Sequence, residues 1–225
     1  MGSDGAQGID NSLWRAVGCV SAFRENAKDD LARTTMVSMR APTVVELTGV
    51  DSLRDDPEVA ITIVAVIESL TRDGRGGPMA RVTFTPDPNP RFRATVAGRI
   101  VGGVLTTDPV DLTLNYKEQI IDAPRRFRGA RIHAKFGPDG SIEGNIFGYQ
   151  TLDSYYASIE QMTQNGANLS RLSCPGVRMA IDHFADGYRD PRTGRFTAIS
   201  SAYKFVGVRA FLRRPDQAAP GETFR

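Results

Sequence analysis

Cysteine, histidine and tryptophan are scarce in this 225-residue chain, which has two, two and one of them. His133, His183, Cys19 and Cys174 follow neither CxxC nor HxxxH spacing. A zinc site would need all four to converge from separate places, so no metal is expected. Cofactor and nucleophile signatures are also missing: there is no GxGxxG, Walker loop, GxSxG, HExxH or EF-hand loop, and no cofactor is expected. Gly98-Arg99-Ile100-Val101-Gly102-Gly103 lacks the Lys-Ser/Thr end of a phosphate loop and reads as a hairpin. Cys19 and Cys174 leave three readings open: two separate buried thiols, a disulfide, or a reactive thiol. The disulfide would close a loop of about 155 residues and contribute on the order of 5 kcal/mol.

Long apolar runs are absent too. The longest window, Val59 to Ile67, is nine residues with Thr62 inside it, against the roughly 20 that a membrane-spanning helix needs. Met1 to Ser12 carry neither the basic nor the apolar region of an export signal. The cytoplasm is therefore the default compartment, and an extracytoplasmic one follows if a leader was removed. An excess of one charge is also lacking, with 28 Lys+Arg against 26 Asp+Glu and a net +2. That balance argues against general nucleic-acid affinity.

What remains is a globular composition, 40% hydrophobic and 24% charged. Residues 1–12 read as a flexible N-terminus, 13–214 as a single α+β domain and 215–225 as a flexible tail. Within 13–40, Asn11-Ser12 offers an N-cap, and Leu13, Trp14, Val17 and Val20 recur as one helical stripe. Asp29-Asp30 offers a second helix start, and Ala41-Pro42 breaks the pattern.

Residues 43–150 read as a β-sheet region. Val44, Val45 and Leu47 open it, and Val59–Leu70 alternates Ile61, Ile63, Ala65 and Ile67 on one face. Asp73–Pro78 predicts a turn into a strand at Ala80–Phe84, and Pro86–Pro90 predicts a loop. Arg93–Ile100 and Val104–Tyr116 form an expected hairpin around Gly102-Gly103. Ile132, Ala134 and Phe136 alternate into the turn Gly137-Pro138-Asp139-Gly140, and Ser141–Tyr149 returns with glycines at 144 and 148 marking close packing or a bulge.

Residues 151–212 supply two helices and a final strand. Thr151 is an N-cap candidate before Leu152, Tyr155, Tyr156, Ile159 and Met162, with Asn165-Gly166 as the stop. Ser173-Cys174-Pro175 starts the next helix, whose apolar face is Val177, Ala180, Ile181 and Phe184; a polar loop at Tyr188–Gly194 and a strand at Tyr203–Leu212 follow. The expected fold is α+β, an antiparallel β-sandwich or open barrel of about seven strands, with an N-terminal helix and two C-terminal helices packed on it.

Two constellations suggest chemistry. Arg125, Arg126, Arg128, Arg131 and Lys135 form a basic run without an acid. A second basic run spans Arg189 to Arg214. Brought together, they would attract anions, since guanidinium forks match carboxylate and phosphate. Tyr149, Tyr155 and Tyr156 are candidates to line a pocket beside them. Asp182, His183 and Asp186 are the nearest approach to an acid/base group, with Ser200 or Ser201 as a distant nucleophile. The leading reading is a non-enzymatic binding or assembly module that engages a protein or a small anionic or apolar ligand through a sheet face and basic edge. The alternatives are a hydrolase using His183 with Asp182 or Asp186, and a structural subunit pairing the Val59–Leu70 strand with another chain.

Overall fold

Alternating burial fixes the centre of the fold. Along 125–136, Phe127, Ala130, Ile132 and Ala134 are buried while Arg126, Arg128, His133 and Lys135 face solvent. A pleated strand puts successive side chains on opposite faces, and a bulge between Arg128 and Arg131 resets the phase midway. The turn that follows has Gly140 at φ 79°. The returning strand lies close because its glycines permit it: a Cβ at Gly148 would stand 2.9 Å from Ala130 Cα.

The computed structural model describes residues 11–18, 40–117, 121–164 and 176–213, the side chains of 162–164 excepted. The chain runs through α1 (Ser12–Val17), β1 (Thr43–Thr48), β2 (Asp56–Ala65), β3 (Thr83–Phe84) and a 3-10 turn (Pro90–Phe92). Then come β4 (Arg93–Val101), β5 (Val104–Thr107), β6 (Val110–Leu114), β7 (Arg125–Phe136) and β8 (Ile142–Thr151). Next are α2 (Leu152–Gln164) and α3 (Val177–Phe184), then β9 (Gly187–Arg189), β10 (Phe196–Gly207) and β11 (Phe211–Leu212). Nine strands form one antiparallel sheet in the order β1-β2-β4-β5-β7-β8-β10-β9, with β6 also on β7. The sheet does not close into a barrel. The architecture is α+β, as the residue pattern implies.

Strands far apart in that order share one core. Val59, Ile61 and Ile63 of β2, Ile100 of β4, Leu105 of β5, Phe127 of β7 and Ile146 of β8 pack in a single buried cluster, so the sheet curls around it. Each such side chain contributes about 1.5–3 kcal/mol by leaving water. A second cluster joins Leu13, Ala16 and Val17 of α1 to Leu152, Ile181 and Ile199, with Tyr203 packed against both clusters. Asn11 caps α1 as expected, its side chain accepting from the Trp14 N–H at 3.3 Å.

Several elements differ from expectation for identifiable reasons. Nine strands plus a two-stranded pair exceed the expected number of about seven: Asp108-Pro109 splits the Val104–Tyr116 run into β5 and β6, and the short β9 and β11 add to the count. The strand expected at Ala80–Phe84 shrinks to β3, since Arg81 adopts φ 62° and its N–H goes to the Arg209 carbonyl. β3 then pairs in parallel with β11. β2 ends at Ala65, where Val66 bridges to Pro86 and leaves Ile67 half exposed. The loop expected at Tyr188–Gly194 contains part of β9, and the final strand starts earlier, at Phe196. Trp14 is 43% exposed despite its place in the apolar stripe of α1. Cys19, Cys174, Val20, the helix start at Asp29-Asp30, the Asn165-Gly166 stop and the Ser173–Pro175 start lie outside the described residues.

Candidate functional site

Two Arg-Phe-Arg triplets, 91–93 and 126–128, and an Arg-Phe pair, 195–196, meet at one cleft of about 700 Å³. The local physics is simple. On β7, positions 126 and 128 share a face and position 127 takes the other. Phe127 is therefore buried in the core and fixes the strand, while Arg126 and Arg128 project into solvent. Phe92 is likewise buried between the exposed Arg91 and Arg93, held by the 3-10 turn that Asn89 caps through the Arg91 N–H. Asp111 and Thr113 of β6 lie along one side of the cleft. Thr151, Asp153 and Tyr156 at the start of α2, with Thr193 and Thr197, complete it.

The charges in this cleft are unevenly matched. Arg126 forms an ion pair with Asp153. Burial works against the Asp153 carboxylate, but the Thr151 hydroxyl and the Arg126 guanidinium more than offset this and hold its pKa below the ordinary value. Asp111 accepts the Gly129 N–H at 2.8 Å. Arg128 lies 5.0 Å over the Tyr188 ring, which meets Tyr149 edge-on at 5.5 Å. Arg91 lies over the Phe92 ring, its guanidinium carbon 4.4 Å from the centroid. Among the described residues no acidic side chain pairs with Arg91, Arg93 or Arg195. Five arginines against two aspartates make the cleft an anion-attracting surface.

The structure divides the expected binding residues into three groups. Arg126, Arg128 and Tyr156 line the cleft, together with Arg195 from the second basic run. Arg125 does not: it faces inward, 3.6 Å over Tyr116 and 5.2 Å from the Tyr203 ring. Tyr155 packs in the helical core beside Tyr203. Burial pushes the phenols of both Tyr155 and Tyr203 above their ordinary pKa, and the Arg125 charge counters only part of that rise. Tyr149, opposite Arg128 on β8, supports Tyr188 and lies outside the cleft lining. Arg131 and Lys135 lie farther along β7, beyond the bulge. The basic run was legible as a run, but strand alternation sends its first member to the opposite side.

The acid/base candidates are separated. α3 ends at Phe184 and Ala185 is extended, so Asp186 leaves the helix and shares no face with Asp182. The Asp186 carboxylate accepts from the Ser200 N–H at 2.7 Å, the Ser200 hydroxyl at 2.6 Å and the Ser12 hydroxyl at 2.8 Å. It ties α1 and β10 together. Ser200 and Ser201 are fully buried. Asp182 accepts a hydrogen bond from the Tyr156 hydroxyl, and burial together with that bond raises the tyrosine pKa. His183 is exposed, its ring 5.0 Å from Phe184, and no described residue hydrogen-bonds it. Over Ala60–Val64, β2 is paired on both sides, by β1 and β4.

Arg91 and Arg93 escaped the sequence reading because they follow a proline-rich loop, outside both basic runs. The signal that finds them is the repeated Arg-Phe-Arg triplet. Among the described residues, no group of three or more His, Cys, Asp or Glu is placed to hold a metal ion, and no helix is long and apolar enough to cross a membrane. Comparison with known proteins adds no relationship: no family model, curated protein or solved structure matches the chain.

Proposed function

We propose that this protein is a non-enzymatic binding module whose ligand is anionic and sits in the arginine cleft. The observation that supports this reading is convergence: guanidinium groups from three distant segments, 91–93, 126–128 and 195, line one concavity. Like charges gathered in this way repel one another unless a counter-charge is supplied. Asp111 and Asp153 supply only part of it. A volume of about 700 Å³ falls within the range typical of small-molecule sites. Hydroxyl groups of Thr113 and Thr193 sit beside the guanidinium groups and add donors for an oxyanion, whereas the Thr197 hydroxyl donates to the Tyr188 carbonyl at 2.7 Å.

The test is thermal unfolding with phosphate, pyrophosphate or citrate, against chloride at matched ionic strength. The multivalent anions should raise the melting temperature through binding to the folded state. The double variant Arg93→Ala/Arg195→Ala, altered only at exposed positions, removes two mutually repelling charges, so its anion-free melting temperature should equal or exceed that of the natural chain while most of the anion-induced shift is lost. An equal shift in the variant, or none in the natural chain, refutes the proposal.

A further inference from the structure

The cleft's own composition narrows the ligand class. Resting on the anion-binding reading, we infer that the ligand is a small phosphate monoester carrying an apolar body, and that Asp153 acts as an internal competitor for its phosphate.

The charge count comes first. Arg91, Arg93 and Arg195 have no acidic partner among the described residues, and the whole lining has three more arginines than aspartates. One carboxylate neutralises one guanidinium. A phosphate monoester brings about 1.5 to 2 negative charges at neutral pH, with three terminal oxygens to accept hydrogen bonds. Guanidinium forks bind such oxygens in a bidentate manner, and neighbouring threonine hydroxyls provide further donors.

The body follows from the other residues present. Tyr156 and Phe196, both half-buried, share the lining with the arginines, over a floor closed by the buried Leu112 and Phe127. An ion such as free phosphate would leave that apolar surface uncovered, whereas an aromatic or aliphatic ester group would cover it.

Asp153 has a particular position. It pairs with Arg126 and also accepts the Ser154 N–H in the first turn of α2. Its carboxylate thus occupies the place where helix amides and a guanidinium would otherwise meet a ligand oxyanion. Its removal frees Arg126 and takes away a negative charge facing the ligand.

The experiment is calorimetric titration of the full chain with phenyl phosphate, inorganic phosphate and benzoate. Phenyl phosphate should bind about tenfold or more tighter than inorganic phosphate, a gap of about 1.4 kcal/mol. Its affinity should rise between about pH 5 and pH 7, as the second phosphate ionisation near 6 completes. The lining contains no histidine, so that rise belongs to the ligand. Asp153→Asn should bind phenyl phosphate several-fold tighter while losing thermal stability; a purely structural ion pair would lose stability without gaining affinity. Benzoate binding as tightly as phenyl phosphate overturns the phosphate assignment and leaves an anion site standing. Inorganic phosphate binding as tightly as its phenyl ester overturns the apolar body. Binding by none of the three overturns the anion-binding reading itself. Weaker binding by Asp153→Asn overturns the competitor role.

Discussion

At the scale of single residues, two polar groups show how this chain tolerates charge and hydrogen-bonding capacity near its core. Gln150 is fully buried, and its Oε1 accepts the Tyr203 hydroxyl at 2.7 Å. Tyr203→Phe keeps the ring and its edge-on contact with Phe127 at 5.9 Å. It strands the Gln150 oxygen, and urea unfolding should register a loss of about 1–3 kcal/mol. Asp56 is a different case, since its carboxylate is wrapped by its own neighbourhood. It accepts from the Asp51 N–H at 2.7 Å and the Glu58 N–H at 3.1 Å, and these bonds hold its pKa below the ordinary 3.8 despite opposing burial. A carboxyl with a lowered folded pKa stabilises above its unfolded value, and the effect is lost as pH falls through the folded one. The melting-temperature gap between the natural chain and Asp56→Asn should therefore be full at neutral pH and close below about pH 3.8. A gap that persists undiminished in acid would show that the charge contributes nothing.

At the scale of elements, the β7–β8 hairpin is where the sequence was most legible. Its alternation is regular, and Pro138 and Gly140 leave little choice of turn. Gly144 marks the tight approach: a Cβ there would stand 2.7 Å from Ala134 Cα and closer still to the His133 carbonyl oxygen. Gly144→Ala should cost about 1–3 kcal/mol through forced separation of the two strands. Chemical denaturation checks this, and a neutral result would mean the hairpin has slack. Where the reading failed, long-range pairing decided. β3 exists only because β11 lies beside it, and nothing local to Thr83-Phe84 encodes that partner. The β-prone residues on either side of Asp108-Pro109 join β5 and β6 into one run in the sequence pattern, although the proline ends the ladder between them. The cleft was half legible for a related reason. Composition revealed the arginines of 125–135 and 189–214. Which of them face outward depends on alternation across a bulge, and Arg91 and Arg93 join them only through the curl of the sheet.

At the scale of the whole molecule, the helical layer and the sheet are coupled through few but well-placed contacts. Leu13 and Val17 of α1 are buried against Leu152, Ile181 and Ile199, and Tyr203 touches both clusters. The Asn11 side chain meets both the N–H and the carbonyl of Ala202 at 3.4 and 3.5 Å, where β9 no longer covers β10. It thereby occupies an open sheet edge that would otherwise be free to pair. Ser12 and Ser200 share the Asp186 carboxylate just beside it. If these contacts make one cooperative unit, no stable state should exist in which α1 has detached while the sheet persists. The single tryptophan, Trp14, lies on α1 and reports that layer by fluorescence, whereas far-ultraviolet circular dichroism is dominated by the sheet. The two signals should trace one coincident urea transition, as two-state unfolding requires. Asp186→Asn weakens the link to Ser12 of α1 along with the Ser200 contacts at one end of β10, and leaves the apolar packing in place. It should move Trp14 to lower urea more than it moves the sheet signal, splitting the curves. Coincident curves in both proteins, shifted equally, would assign the coupling to apolar packing alone. A split already present in the natural chain would make the helical layer an independently melting cover over the curled sheet.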